Sequence, residues 1–214
     1  MHVTLAITFL LAARLSATPS TPAAAPPADA GRAATERSRF QAYLGDHDVP
    51  TADELRALGK APDKTLMALS SDTHADGLVR ARATAGLRFF PTPEVQTFLG
   101  KLIQKNAKTT DATDRLIVRR AALALGWMVA ATASDTLALL FDNDDIEVRV
   151  DAAIGLGLTR SEAAIGYLRR RLAVESAPRV REQIERQLRA MGQPTNQPEK
   201  LPPVKNEAPM RTGW

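Results

Sequence analysis

The stretch DDIEVRVDAAIGLGLTRSEAAIGYLRRRL, residues 144–172, decides the fold. It opens on acids, runs through an alanine- and leucine-rich segment, breaks at Arg160-Ser161-Glu162, and resumes as a second amphipathic run. Serine followed by glutamate is a helix-start signal, because the hydroxyl caps the first free N–H groups and the acid favours the positive end of the helix dipole. The expected unit is therefore helix, tight turn, helix. Residues 115–130, RLIVRRAALALGWMVA, look like residues 146–160, IEVRVDAAIGLGLTR. The likeness is either the accident of two alanine-rich helices or a repeat.

An alignment on an acid, with apolar or small residues three, seven and eleven places later, favours the repeat. One copy is Asp76, Val79, Ala83 and Leu87; the next is Asp114, Ile117, Ala121 and Leu125; the third is Asp145, Val148, Ala152 and Leu156. A degenerate fourth has Val180, Ile184 and Leu188, with Ala177 in place of the acid. The copies start 38, 31 and 32 residues apart, and the polar stretch KNAKTTDATD, residues 105–114, accounts for the longer first interval. Each copy continues into a second apolar set: Val95, Phe98 and Leu102; Leu137, Leu140 and Phe141; Ile165, Leu168 and Leu172. Offsets of three and four place each set on one helical face. Thr92-Pro93-Glu94, Ser134-Asp135 and Ser161-Glu162 are the start signals of these second helices. Three matched units with a period near 30 indicate stacked helical repeats. Asp76, Asp114 and Asp145 are expected to cap helices. Arg80 and Arg149 follow the valine and are expected to pair with acids of the adjacent unit, and Arg181 shares their register.

Residues 144–172, with DRLIVRRAALALGWM and DGLVRARATAGLRFF as weaker matches, resemble the HEAT-repeat family in its short bacterial form, also called HEAT-like or phycobilin-lyase-type repeats. The resemblance spans Thr51 to Gly192. It implies an all-α fold, a right-handed α-solenoid of helix-turn-helix units, which composition is expected to flank with disordered N- and C-terminal segments. On function it implies mostly interaction scaffolds, with a minority of enzymes. HEAT-like iron hydroxylases use repeated His-Glu pairs, and this chain has no such pair.

Composition agrees with a helical domain. Of 214 residues, 44% are hydrophobic and 24% charged, but only 5% aromatic, so alanine and leucine must make the core. The net charge of +4 does not by itself imply nucleic acid. Without cysteine there are no disulfides, zinc thiolates, cysteine nucleophiles or lipid-bearing cysteine.

Residues 1–17 read as a signal peptide: Val3 to Ala13 is uncharged and too short to span a bilayer, and Ser16-Ala17 offers a cleavage point. An uncleaved anchor is the alternative. Residues 18–32 form a Pro/Ala linker, 33–192 the helical domain, and 193–214 a proline-rich tail that does not fold alone. Within the domain, Phe40, Tyr43 and Leu44 share a face. Thr51 and Glu54 have capping-box spacing, and Gly59 ends that short helix.

Chemistry-bearing groups are sparse. His47 lies between Asp46 and Asp48, where a solvated turn is the simple reading and a metal contact the sharper one. FDNDDIE, residues 141–147, lacks the glycine and final glutamate of an EF-hand loop, and reads as the approach to the Asp145 cap. Arg169, Arg170, Arg171, Arg179 and Arg181 are concentrated enough to form an anion-binding patch, or a solvated face balanced by Glu162, Glu175 and Glu182. Trp127 reads as core or turn packing, with exposed partner contact as the alternative. Trp214 is a candidate docking residue on the tail. No catalytic residue, metal ligand or cofactor site is identified. The expected protein is an exported, periplasmic or extracellular scaffold that binds another protein of the cell envelope, Arg169–Arg171, Arg179 and Trp127 being candidate contacts. It binds no nucleic acid and has no membrane span once the signal segment is removed. The alternatives are a lyase-associated enzyme or subunit handling a small ligand, or an envelope protein binding an acidic polymer.

Overall fold

The structure, a computed structural model, describes residues 28–47, 50–128 and 133–194. Residues 1–17, read as a signal peptide, residues 18–27 of the stretch read as linker, and residues 195–214 with Trp214 lie outside the described residues. Those described fold into ten α-helices and two short 3-10 turns, with no strand among them.

Helix α1 (Ala28–Asp46) begins inside the stretch read as linker, where ADAGRAA supplies strong helix formers after the last prolines. It buries Phe40 and Leu44. Helix α2 (Ala52–Leu58) has the expected capping box: Thr51 Oγ1 accepts from the Glu54 N–H, and the Glu54 carboxylate accepts from the Thr51 N–H. Gly59 does follow it, but with an extended backbone and not the left-handed one that usually selects glycine. Its lack of a side chain serves another purpose. A Cβ there would collide with the carboxylate of Glu36 from α1. That carboxylate accepts from the N–H groups of Lys60 and Ala61, each at 3.3 Å, and from Thr65 Oγ1 at 3.1 Å. Helix α3 (Pro62–Ser71) has Ala61 at its N-cap and no side-chain cap; it starts at Pro62, which has no N–H to satisfy, and Glu36 ties down the two residues before it.

Three helix pairs follow. Helix α4 (Gly77–Gly86) tightens into a 3-10 turn at Leu87–Phe89 and leads to α5 (Pro93–Asn106). Helix α6 (Ala112–Trp127) precedes the short α7 (Ala133–Ala138), which runs into a 3-10 turn at Leu139–Asp142. Helix α8 (Ile146–Thr159) pairs with α9 (Glu162–Val174), and α10 (Pro178–Ala190) closes the described chain. Asp76, Asp145, Thr92 and Ser161 cap α4, α8, α5 and α9 as expected from their spacing.

Two expected caps are corrected. Asp111 caps α6 and accepts from the Asp114 N–H, which places Asp114 inside the first turn; α6 starts one turn earlier than its partners because a second acid stands three residues upstream. Ser134 lies within α7, not before it. Its hydroxyl is buried and bonds Ser161 Oγ at 2.8 Å.

Helices α4, α6, α8 and α10 pack side by side in chain order, α3 packs on α4 and α5 on α6, and α5, α7 and α9 touch in sequence. Along the α6–α8 seam Arg115 meets Asp145, Arg119 meets Asp151 and Gly126 meets Gly155, so these two helices run parallel. One continuous apolar core extends from Phe40 to Leu188. Val79, Ala83, Leu87, Ala121, Leu125, Val148, Ala152 and Leu156 are all buried in it, and Ile117 is buried outside it. On α5 the buried stripe is centred on Val95, Leu99 and Ile103, while Phe98 and Leu102 flank it partly exposed.

Candidate functional surfaces

The arginines divide into those that hold the helix row together and those that face outward. Four occupy the position four residues after an N-cap: Arg80, Arg115, Arg149 and Arg181. Each donates to a backbone carbonyl of the segment before its own helix: Ser70, Thr110, Asn143 with Asp144, and Leu172 with Glu175 respectively. The first three also reach an acid of the following unit. Arg80 lies 3.6 Å from Asp114, Arg115 bonds Asp145 at 2.7 Å, and Arg149 grips Glu175 with two nitrogens at 3.1 and 3.2 Å. The expectation that Arg80 and Arg149 bridge adjacent units agrees with this geometry; Arg115 supplies the same link for the second unit, one turn earlier than the aligned apolar residues suggest.

Glu175 is the most constrained acid of the ladder. Burial alone would raise its pKa, but the Ala177 N–H, Arg149 and Arg171 together bring it down to about 2. Asp151 behaves oppositely: burial pushes its carboxyl up, against the pull of Arg119 at 2.6 Å. Asp145 stays below the usual range. Burial opposes this, while the N–H groups of Val148 and Glu147 and the Arg115 guanidinium favour the charged form.

The residues picked from the basic stretch have separate partners. Arg171 is bound to Glu175 and lies over the Phe141 ring. Arg179 bonds Glu147 at 3.0 Å, Arg169 donates to Gln193 at 2.8 Å, and Arg170 stacks over Tyr167. Arg181 belongs to the ladder. In FDNDDIE, Asn143 donates to the Ala107 carbonyl and accepts from the Asp145 N–H, so this loop is braced by its own side chains. His47 is exposed and stacks on Tyr43, with ring centroids 4.2 Å apart. Among the described residues no three His, Asp or Glu side chains gather as a metal site requires.

Trp127 departs from the expectation of core packing: it ends α6 and is 60% exposed. It borders a depression of about 340 Å3 with Arg88 and Phe89. That depression adjoins a second, of about 350 Å3, which shares Arg88 and Phe89 and is lined also by Leu78, Arg82 and Arg120. Together they form a groove along α4, from its first turn past its C-terminus. Arg82 donates to the carbonyls of Leu44 and Gly45 at the end of α1. Arg88 lies over the Phe89 ring, 4.6 Å from its centroid. Among the described residues neither Arg88 nor Arg120 forms an ion pair, though the charge of Arg120 acts on the Asp151 carboxylate, and no carboxylate lines either depression.

The sequence carries a signal for this groove that the core alignment passes over. Six places after the aligned acid stand Arg82 and Arg120; thirteen places after it stand Phe89 and Trp127. The third unit has Asp151 and Leu158 at these places, so the cationic and aromatic pattern is confined to the first two. Compared with models of known protein families and with curated protein sequences, the chain matches none.

Proposed function

We propose that the chain is an exported α-solenoid scaffold of HEAT-like units that binds another protein of the cell envelope. The observation that carries this reading is the groove along α4, where Leu78, Phe89 and Trp127 lie among arginines and, among the described residues, no acid lines the walls. A contiguous exposed apolar patch with a charged rim marks a contact surface, and Trp127 stands beside Phe89 in such a patch. The arginine ladder supports the same reading: it fixes neighbouring units to one another, and a rigid row presents a surface with little ordering cost on binding.

The test is crosslinking of a tagged chain in its own cells, with mass spectrometry of what is captured. Wild type is compared with R169E/R170E and with R88E/R120E. A dominant envelope protein that either variant loses supports the scaffold and locates its surface. Recovery of the chain alone, in every sample, overturns it. Arg171 is left intact, because its loss would strip Glu175 of a partner.

A further inference from the structure

The groove's dimensions and charge define its occupant more narrowly. Leu78 and Phe89 are eleven residues apart on a nearly continuous helix, so the groove is about 16 Å long at 1.5 Å per residue. At about 3.3 Å per residue, that length accommodates roughly five residues of extended chain. Apolar surface stands at both ends: Leu78, 47% exposed, at one, and Phe89 with Trp127 at the other. Between them lie Arg88 and Arg120, with Arg82 held to the carbonyls of Leu44 and Gly45. A guanidinium prefers a carboxylate, which it engages through two parallel N–H donors.

We propose that the groove along α4, from Leu78 past Arg82, Arg120 and Arg88 to Trp127, binds an extended acidic peptide of about five residues with apolar side chains at its ends. This rests on the scaffold reading and names the chemistry of its partner. A single-stranded nucleic acid would need a succession of open aromatic faces. Here the Phe89 face is covered by Arg88, leaving Trp127 as the exposed ring. An acidic polysaccharide can lay a C–H ring face on Trp127, but it has no aliphatic side chain to match Leu78 at the other end. An acidic peptide uses the aliphatic end, the arginines and the aromatic end together.

The experiment is selection of a random peptide library, displayed on phage, against the purified full-length chain. The best enriched peptide is then synthesised and titrated. Enriched sequences should carry two or more Asp or Glu residues flanked by Leu, Phe or Trp. Affinity should fall at least about tenfold in R88E/R120E and in W127A, since a buried aromatic or arginine anchor dominates such contacts. It should also weaken as salt is raised. R186E, on the exposed face of α10, should bind as wild type. Melting temperatures are measured beside each titration, and R88Q/R120Q replaces the charge reversal if that lowers stability.

Absence of enrichment, enriched peptides without acids, or binding unchanged in the arginine variants overturns the proposal. So does an oligothymidine or a sulfated polysaccharide binding in place of peptide, with loss in R88E/R120E. A benzoylphenylalanine at position 127 that crosslinks to residues 195–214 of the same chain also overturns it, by assigning the groove to the tail. The two readings fail separately: a captured cellular partner insensitive to Arg88 and Arg120 leaves the scaffold standing and removes only the acidic peptide.

Discussion

Glu175 shows how much one buried acid can hold in place. It is 4% exposed, accepts from the Ala177 N–H at the start of α10, and binds Arg149 from α8 and Arg171 from α9. Three helices meet on one carboxylate. Removing one member of a buried ion pair leaves the others desolvated and unpaired, and E175Q should cost about 2–4 kcal/mol. The pH dependence follows from the sign of the shift. The folded carboxyl titrates at about 2 against an ordinary 4.5, so between these values the unfolded chain binds the proton and the folded chain does not. The contribution is complete above about pH 4.5 and is lost as pH falls toward 2. It amounts to roughly 3 kcal/mol at most. Urea denaturation of wild type and E175Q at pH 7, 4 and 3 should show the two converging on acidification. A gap that stays constant would show that Glu175 is not what couples this junction to protons.

At the scale of helices, close approach is set by glycine at one crossing. A Cβ on Gly126 would stand 2.5 Å from the Gly155 carbonyl oxygen, and one on Gly155 would stand 2.8 Å from that of Ala122. These neighbours are backbone and cannot turn aside. Alanine gains up to about 1 kcal/mol over glycine in helix propensity, whereas overpacking a tight contact costs about 1–3 kcal/mol. G126A and G155A should therefore lower the melting temperature. Gly100, on α5, has nothing within 4 Å of its would-be Cβ, so G100A should be neutral or stabilise by about 0.5–1 kcal/mol. If thermal melts show the same sign for all three, packing does not set the distance between α6 and α8. The same elements show what the sequence could reveal. Offsets of three, seven and eleven locate the buried faces because the helix period fixes them. They do not decide between Asp111 and Asp114 as the cap of α6, since both stand before the apolar run and only the start of the backbone helix separates them. Nor does one helix's pattern expose the groove. Phe89 and Trp127 are 38 residues apart, and they meet because α4 and α6 lie side by side.

For the molecule as a whole, the row of described helices ends at α10. Its inner face buries Val180, Ile184 and Leu188 as it packs on α8. Its outer face exposes Arg179, Glu182, Arg186 and Arg189, with Glu182 bonded to Arg186 at 2.8 Å one turn on. A row of packed helices without such a polar terminal face would present core residues to water. The three apolar side chains alone represent roughly 5–9 kcal/mol of transfer free energy, an upper value, against a typical domain stability of about 5–15 kcal/mol. A chain stopped after Ala177 should lose more than about 10 °C in melting temperature, at about 2–4 °C per kcal/mol for a domain of this size. It should also self-associate through the uncovered face of α8, which light scattering after size exclusion would detect. I184D, which keeps α10 but places a charge in that interface, should destabilise in the same direction. A truncated chain that stays monomeric and melts like wild type would mean that α8 already closes the row. The continuous core from Phe40 to Leu188 argues otherwise, because it makes α10 part of the same apolar body as the helices before it.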